Sequence, residues 1–139
     1  MGAVTVGICC VPDAELSRAV DIAIAPLVGA EVIAGSTRMK AALAQKMVLH
    51  MISTAAMARL GHVYENYMVG VRPTNQKLWK RACSMIASIT GEDRETVERT
   101  LKQAGKDVKV AVVMLRRGIS RDKAAKLLVR HGGNLRAIE

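Results

Sequence analysis

Residues 5–26, TVGICCVPDAELSRAVDIAIAP, decide how the chain is read. Two β-prone apolar runs flank a short segment opened by Pro12 and Asp13. Residues 3–10, AVTVGICC, lack polar alternation, as expected of a buried strand covered on both faces. Asp13 is a good N-cap for a helix over 14–20. Residues 21–26, DIAIAP, read as a second strand stopped by Pro26. Strand, helix and strand with few residues between them predict parallel pairing in an α/β sheet. Two strands do not make a stable sheet alone, and no run downstream has their quality. The EVIA of 31–34 is either a third short strand or the approach to a helix.

That helix is predicted to begin near Ser36 or Thr37 and to run to about Leu60, closed by Gly61. Its Leu43, Met47, Val48, Met51, Ile52, Ala55 and Leu60 cover far more than one stripe, which marks a central or interface helix. Residues 62–73 read as irregular. Thr74 is expected to cap a helix to about Thr90, stopped by Gly91. Three shorter helices follow, started by Asp93, Asp107 and Ser120 and ended by Gly105, Gly118 and Gly132-Gly133, with Asn134 as a cap for a final turn. These make a bundle of about 47 residues, near the lower limit for an independent fold. The expected architecture is thus α/β and mostly helical. Its expected parts are an α/β portion over 1–62, a connecting segment and helix over 63–91, and a helical bundle over 92–139.

Composition narrows the function. The chain has 139 residues and its only aromatics are Trp79, Tyr64 and Tyr67. That argues against a module that reads single strands by base stacking. The net charge of +9 is uneven: residues 1–35 carry −3, 36–72 carry +4 and 73–139 carry +8. A basic second half is compatible with nucleic-acid binding, but a solvated helical face is the favoured reading; nucleic acid ranks last among the partners weighed. Cys9 and Cys10 are adjacent and cannot form a CxxC hook. With Cys83 the count is odd, and no signal peptide is visible, so a reducing cytoplasm is expected. The longest apolar candidate, 41–58, is broken by Gln45, Lys46, His50, Ser53 and Thr54, so no membrane span is expected.

Few residues suggest chemistry. GAEVIAGS at 29–36 superficially resembles a phosphate-binding P-loop, but five residues separate its glycines and Ser36 stands where the Lys belongs. GSTRMK at 35–40 is more informative. Gly35 permits close backbone approach, and a helix start favours an anion. Ser36 and Thr37 add hydroxyls; Arg38, Lys40 and Lys46 add positive charge. The competing reading is an ordinary Ser/Thr cap beside two surface cations. In the first 72 residues the only acids are Asp13, Glu15, Asp21, Glu31 and Glu65, and no pair stands out for acid–base work. His50, His62 and His131 are scattered, and nothing suggests a triad or a metal site.

The stretch EVIAGSTRMKAALAQKMVLHMISTAAMARLGHVY, continued by NYMV and PTNQKL, resembles N-acetylmuramic acid 6-phosphate etherases and the related glucokinase regulatory proteins. Residues 5–26 resemble the last part of their sugar isomerase (SIS) domain. The VAVVML and GGNLR segments are similar to their C-terminal helical domain, a ubiquitin-associated (UBA-like) bundle. The resemblance implies a phosphosugar ligand and a homodimer in the bacterial cytoplasm. It also implies cleavage of a lactyl ether by elimination and hydration, without metal or organic cofactor. Ser36, Thr37, Arg38, Lys40 and Lys46 stand on motif positions that hold the substrate. The family's phosphate loop and its two catalytic glutamates would precede residue 1, so no residue here is assigned a catalytic role. The chain is expected to be silent alone, or else to be a non-catalytic sugar-phosphate sensor. An exposed sheet edge and an apolar helix predict association between copies. Departures from the family pattern are Ala42-Leu43 in place of Gly-Thr, His50 in place of Asn, and Cys9 and Val11 in place of Ser and Asn. Glu65-Asn66-Tyr67-Met68-Val69-Gly70 replaces Gly-Asn-Leu-Met-Val-Asp.

Overall fold

The computed structural model describes residues 2–138. Within them the chain divides into two compact units, meeting between Thr54 and Ala55.

The first unit opens with strand β1, Val6–Ile8, helix α1, Glu15–Arg18, and strand β2, Ile22–Ile24. The strands pair in parallel, Val6 opposite Ile22 and Ile8 opposite Ile24, as the short spacing predicts. Asp21 secures the start of this pairing. Its carboxylate accepts from the Thr5 amide at 2.8 Å and the Thr5 hydroxyl at 2.7 Å, while its own amide donates back to Thr5 Oγ1. A Cβ on Gly7 would stand 3.0 Å from side-chain carbons of Leu16 and Val20, so α1 lies directly on β1. Both strands are three residues long, shorter than the expected 3–10 and 21–26, and only Gly7 of β1 is buried, so the expectation of a fully covered strand fails. Residues 31–34 form turns, not a third strand.

Helix α2 runs Lys40–Arg59, starting later than Ser36 or Thr37. Gly61 follows in the left-handed region at φ 72°, which an L side chain resists. No residue of α2 is buried, and Leu43, Met47, Leu49, Met51, Ile52 and Met57 are exposed.

The second unit begins within α2 and adds a two-stranded hairpin, β3 (Val63–Tyr64) and β4 (Tyr67–Met68), in the segment expected to be irregular. Glu65, at φ 51°, makes its turn. Four helices follow: α3 (Gln76–Thr90), α4 (Arg94–Gln103), α5 (Val108–Arg117) and α6 (Arg121–Arg130), then a 3-10 turn, Leu135–Ile138. Asn75 caps α3, accepting from the Leu78 amide at 2.9 Å, where Thr74 was expected. Asp93 and Asp107 cap α4 and α5 as predicted, each accepting from the amide three residues on.

Burial follows helical periodicity. Helix α3 buries Ala82, Cys83, Met85, Ile86 and Ile89; α4 buries Val97, Thr100 and Leu101; α6 buries Ala124 and Leu128. Helix α5 buries Val108, Val110, Ala111, Val112 and Val113, nearly all round, so it is the central rod. Tyr64 and Val69 join the same core, as do Leu135 and Ile138. The segment 63–91 therefore contributes a wall of this module. Arg116 ties three pieces together: it donates to the Tyr64 hydroxyl at 3.0 Å and the Ile89 carbonyl at 3.1 Å, and lies 5.3 Å from the Tyr64 ring centre. Among the described residues, no helix is long and apolar enough to cross a membrane.

Candidate functional site

The GSTRMK segment lies between two elements of the first unit. Ser36 and Thr37 precede α2 in a series of turns. The Ser36 amide donates to the Ile33 carbonyl and the Thr37 amide to the Gly35 carbonyl, with Gly35 at φ 78°. Ser36 is half-buried; Thr37, Arg38, Lys40 and Lys46 are exposed. Lys46 stands six positions into α2, past the first turn that carries Lys40.

The first turns of α2 meet the carboxyl end of β1. Gln45 Nε2 donates to the Ile8 carbonyl at 3.2 Å, and Cys10 Sγ donates to the Ala41 carbonyl at 3.7 Å. In open α/β sheets, ligands bind beyond the carboxyl ends of parallel strands. The segment that carries the hydroxyls of Ser36 and Thr37 and the cations of Arg38 and Lys40 leads directly into these turns, and hydroxyls and cations together suit a phosphate or carboxylate.

The helix mouth is not a set of free donors, however. The Lys40 and Ala41 amides each donate to the Glu31 carboxylate at 3.0 Å. The Ala42 amide donates to the Thr37 carbonyl and the Leu43 amide to the Met39 carbonyl. Glu31 is thus a built-in anion at the N-terminus of α2. The Ala41 and Lys40 amides, with the nearby Lys40 charge, lower its pKa from the ordinary value. Neither the cap of Ser36 or Thr37 nor open N–H groups describes this end; the cap arrives from nine residues upstream. Sequence reasoning missed Glu31 and Gln45 as the residues that organise the segment. Glu31 carried a signal, an acid shortly ahead of a helix, but not at the three-residue capping distance.

Two carboxylates of this unit, Asp21 and Glu31, are held by hydrogen-bond donors that favour their charged form. The Thr5 amide and hydroxyl lower the pKa of Asp21, as the amides of α2 lower that of Glu31. Asp13 adopts φ 56° in the turn before α1, and Glu15 opens that helix. Among the described residues no three of His, Cys, Asp and Glu converge as a metal site.

Comparison with known proteins gives this geometry a context. Residues 65–112 match the family model of the C-terminal lid domain of glucokinase regulatory protein. N-acetylmuramic acid 6-phosphate etherase of Serratia proteamaculans (strain 568) is 47% identical over 137 residues. The alignment takes in 99% of this chain and 46% of that protein. The chain is similar to this etherase over nearly its whole length. The enzymes of the same name from Yersinia pestis (strain Pestoides F) and Yersinia pseudotuberculosis serotype O:1b (strain IP 31758) are each 46% identical over the same 137 residues. The chain spans about half the length, 46%, of the etherase relatives it matches. The resemblance read from GSTRMK and its flanks therefore extends to nearly every residue, including the helical unit.

Proposed function

We propose that this chain provides the GSTRMK wall of a phosphosugar lyase of the etherase type, together with its helical C-terminal module. The observation that carries this reading is the 47% identity over 137 residues, 99% of the chain, an alignment that spans the GSTRMK segment. The substrate is N-acetylmuramic acid 6-phosphate, and the reaction opens its lactyl ether to give N-acetylglucosamine 6-phosphate and D-lactate. Ser36 and Thr37 donate hydrogen bonds to the anionic substrate; Arg38, Lys40 and Lys46 offset its charge. The first unit is the end of an SIS-type sheet and the second is a UBA-like bundle. The protein works in the cytoplasm, as a homo-oligomer, without metal or organic cofactor.

Elimination needs a placed base to take a proton and an acid to protonate the leaving oxygen. Asp21 accepts from the Thr5 amide and hydroxyl and Glu31 from the Lys40 and Ala41 amides, and these bonds lower both pKa values. The 139-residue chain alone accordingly binds without turning over. Incubation of the purified chain with N-acetylmuramic acid 6-phosphate, followed by a D-lactate assay, tests this; steady lactate release would overturn it.

A second reading is a non-catalytic sugar-phosphate sensor, favoured by the match of residues 65–112 to the lid domain of a regulatory protein. Calorimetry with fructose 6-phosphate and N-acetylmuramic acid 6-phosphate separates the two. A preference for the muramic acid ester supports the lyase, and a preference for fructose 6-phosphate supports the sensor.

A further inference from the structure

The helical unit carries a groove along α6 that the etherase reading does not use. Two recesses form it, of about 250 Å³ and about 450 Å³. Ile119, between α5 and α6, and Leu127, on α6, line both recesses and are half-buried, so they make one continuous apolar floor. Lys123, Lys126 and Arg130 line the smaller recess, and Arg117 lines the larger. On α6 the three cations stand at i, i+3 and i+7, the spacing of a single helix face, with Leu127 beside them.

Nothing within the fold answers these cations. All three are exposed, and none forms an ion pair among the described residues. No acid among the described residues lines either recess. Asp122, the one acid of α6, lines neither and makes no ion pair among the described residues. Helix stability does not account for the cluster either. Arg130 in the last turn suits the negative end of the α6 dipole, but Lys123 in the first turn opposes the positive end.

We propose that this groove docks an acidic amphipathic peptide segment of another protein. Its aliphatic side chains seat on Ile119 and Leu127, and its carboxylates meet Lys123, Lys126 and Arg130. Charge complementarity sets the sign of the partner, and the apolar floor sets its class. A nucleic-acid backbone brings phosphates but no aliphatic group for that floor, and none of Tyr64, Tyr67 and Trp79 lines the groove to stack a base. An anionic membrane takes up apolar residues that protrude, whereas Ile119 and Leu127 are recessed. An acidic amphipathic helix supplies both groups, at three- and four-residue spacing. The surface lies wholly within the helical unit and does not depend on the etherase reading.

The experiment titrates the full 139-residue chain into a fluorescein-labelled helical peptide of Glu and Leu, with the leucines three and four apart, and reads anisotropy. The same peptide with every Leu changed to Ser, a labelled DNA duplex and phosphatidylserine vesicles are measured alongside at one ionic strength. Saturable binding of the Leu-bearing peptide, at least tenfold tighter than its Ser counterpart, supports the groove. Lys126→Glu, at an exposed position, weakens that binding about tenfold by placing like charges together. Lys77→Glu, an exposed cation of α3 outside the groove, leaves it unchanged, and Trp79 fluorescence checks that both variants are folded. Equal affinity for the two peptides, tighter binding to DNA or vesicles, equal losses in the two variants, or no binding overturns the proposal.

Discussion

Gly61 and Gly91 form a matched pair that separates backbone conformation from packing. Both close helices in the left-handed region, at φ 72° and 76°. An alanine at either position bears the cost of that region, about 1–2 kcal/mol. Their surroundings differ. A Cβ on Gly91 meets nothing within 4 Å, whereas a Cβ on Gly61 stands 2.9 Å from the Gly133 carbonyl oxygen and 3.1 Å from the Asn134 Cα. Those are backbone atoms, and the Lys109 bridge to both glycine carbonyls restrains their retreat. Overpacking of this kind adds about 1–3 kcal/mol. Gly91→Ala is therefore expected to cost about 1–2 kcal/mol and Gly61→Ala about 2–5 kcal/mol. Trp79 lies half-buried in α3 and is the chain's one tryptophan, so its fluorescence during urea unfolding reports on this unit. Equal midpoint shifts for the two variants, or a larger one for Gly91→Ala, would refute the close approach of Gly61 to Gly133.

Ile86, at 0% exposure on α3, should lose about 2–5 kcal/mol as Ile86→Ala, against under about 0.5 kcal/mol for Val129→Ala at 80% exposure; urea unfolding monitored by circular dichroism checks both. Thiol labelling should modify half-buried Cys9 and Cys10 in the native chain but reach Cys83 only on unfolding, since burial raises the Cys83 pKa and excludes the reagent. The Asp21, Glu31 and Asp93 carboxyls have folded pKa values below their unfolded ones, so the unfolded chain takes up protons first on acidification. Their stabilisation is complete above the unfolded carboxylate range and is lost as pH falls through the folded values; the urea midpoint should drop below about pH 4, and less steeply in Asp93→Asn.

The local devices of this fold are written in the sequence. Asp93 and Asp107 reach amides three residues on, and Gly91 and Gly118 end helices by their own backbone freedom. The buried faces of α3, α4 and α6 follow the helical period. The helix-bearing link between the first two strands is long enough for the crossover that their parallel pairing requires. GSTRMK suggested anion chemistry by composition, an expectation carried into the proposed function. What escaped was either too short for a period or too distant for a pattern. The hairpin β3–β4 has two residues per strand, below any alternation that can be counted.

Glu31 caps α2 from nine and ten residues away, and Gln45 reaches the Ile8 carbonyl across 37. Lys109 joins Gly61 to Gly133 over separations of 48 and 24 residues, and the His62 ring rests on Gly70. The sequence by itself determined which residues could cap, bury or carry charge, because those properties belong to a residue and its near neighbours. Tertiary structure decided how those charges are answered, Glu31 by two amides of α2 and Lys109 by the carbonyls of Gly61 and Gly133. Compensation of a charge depends on what the folded chain brings within about 3 Å of it.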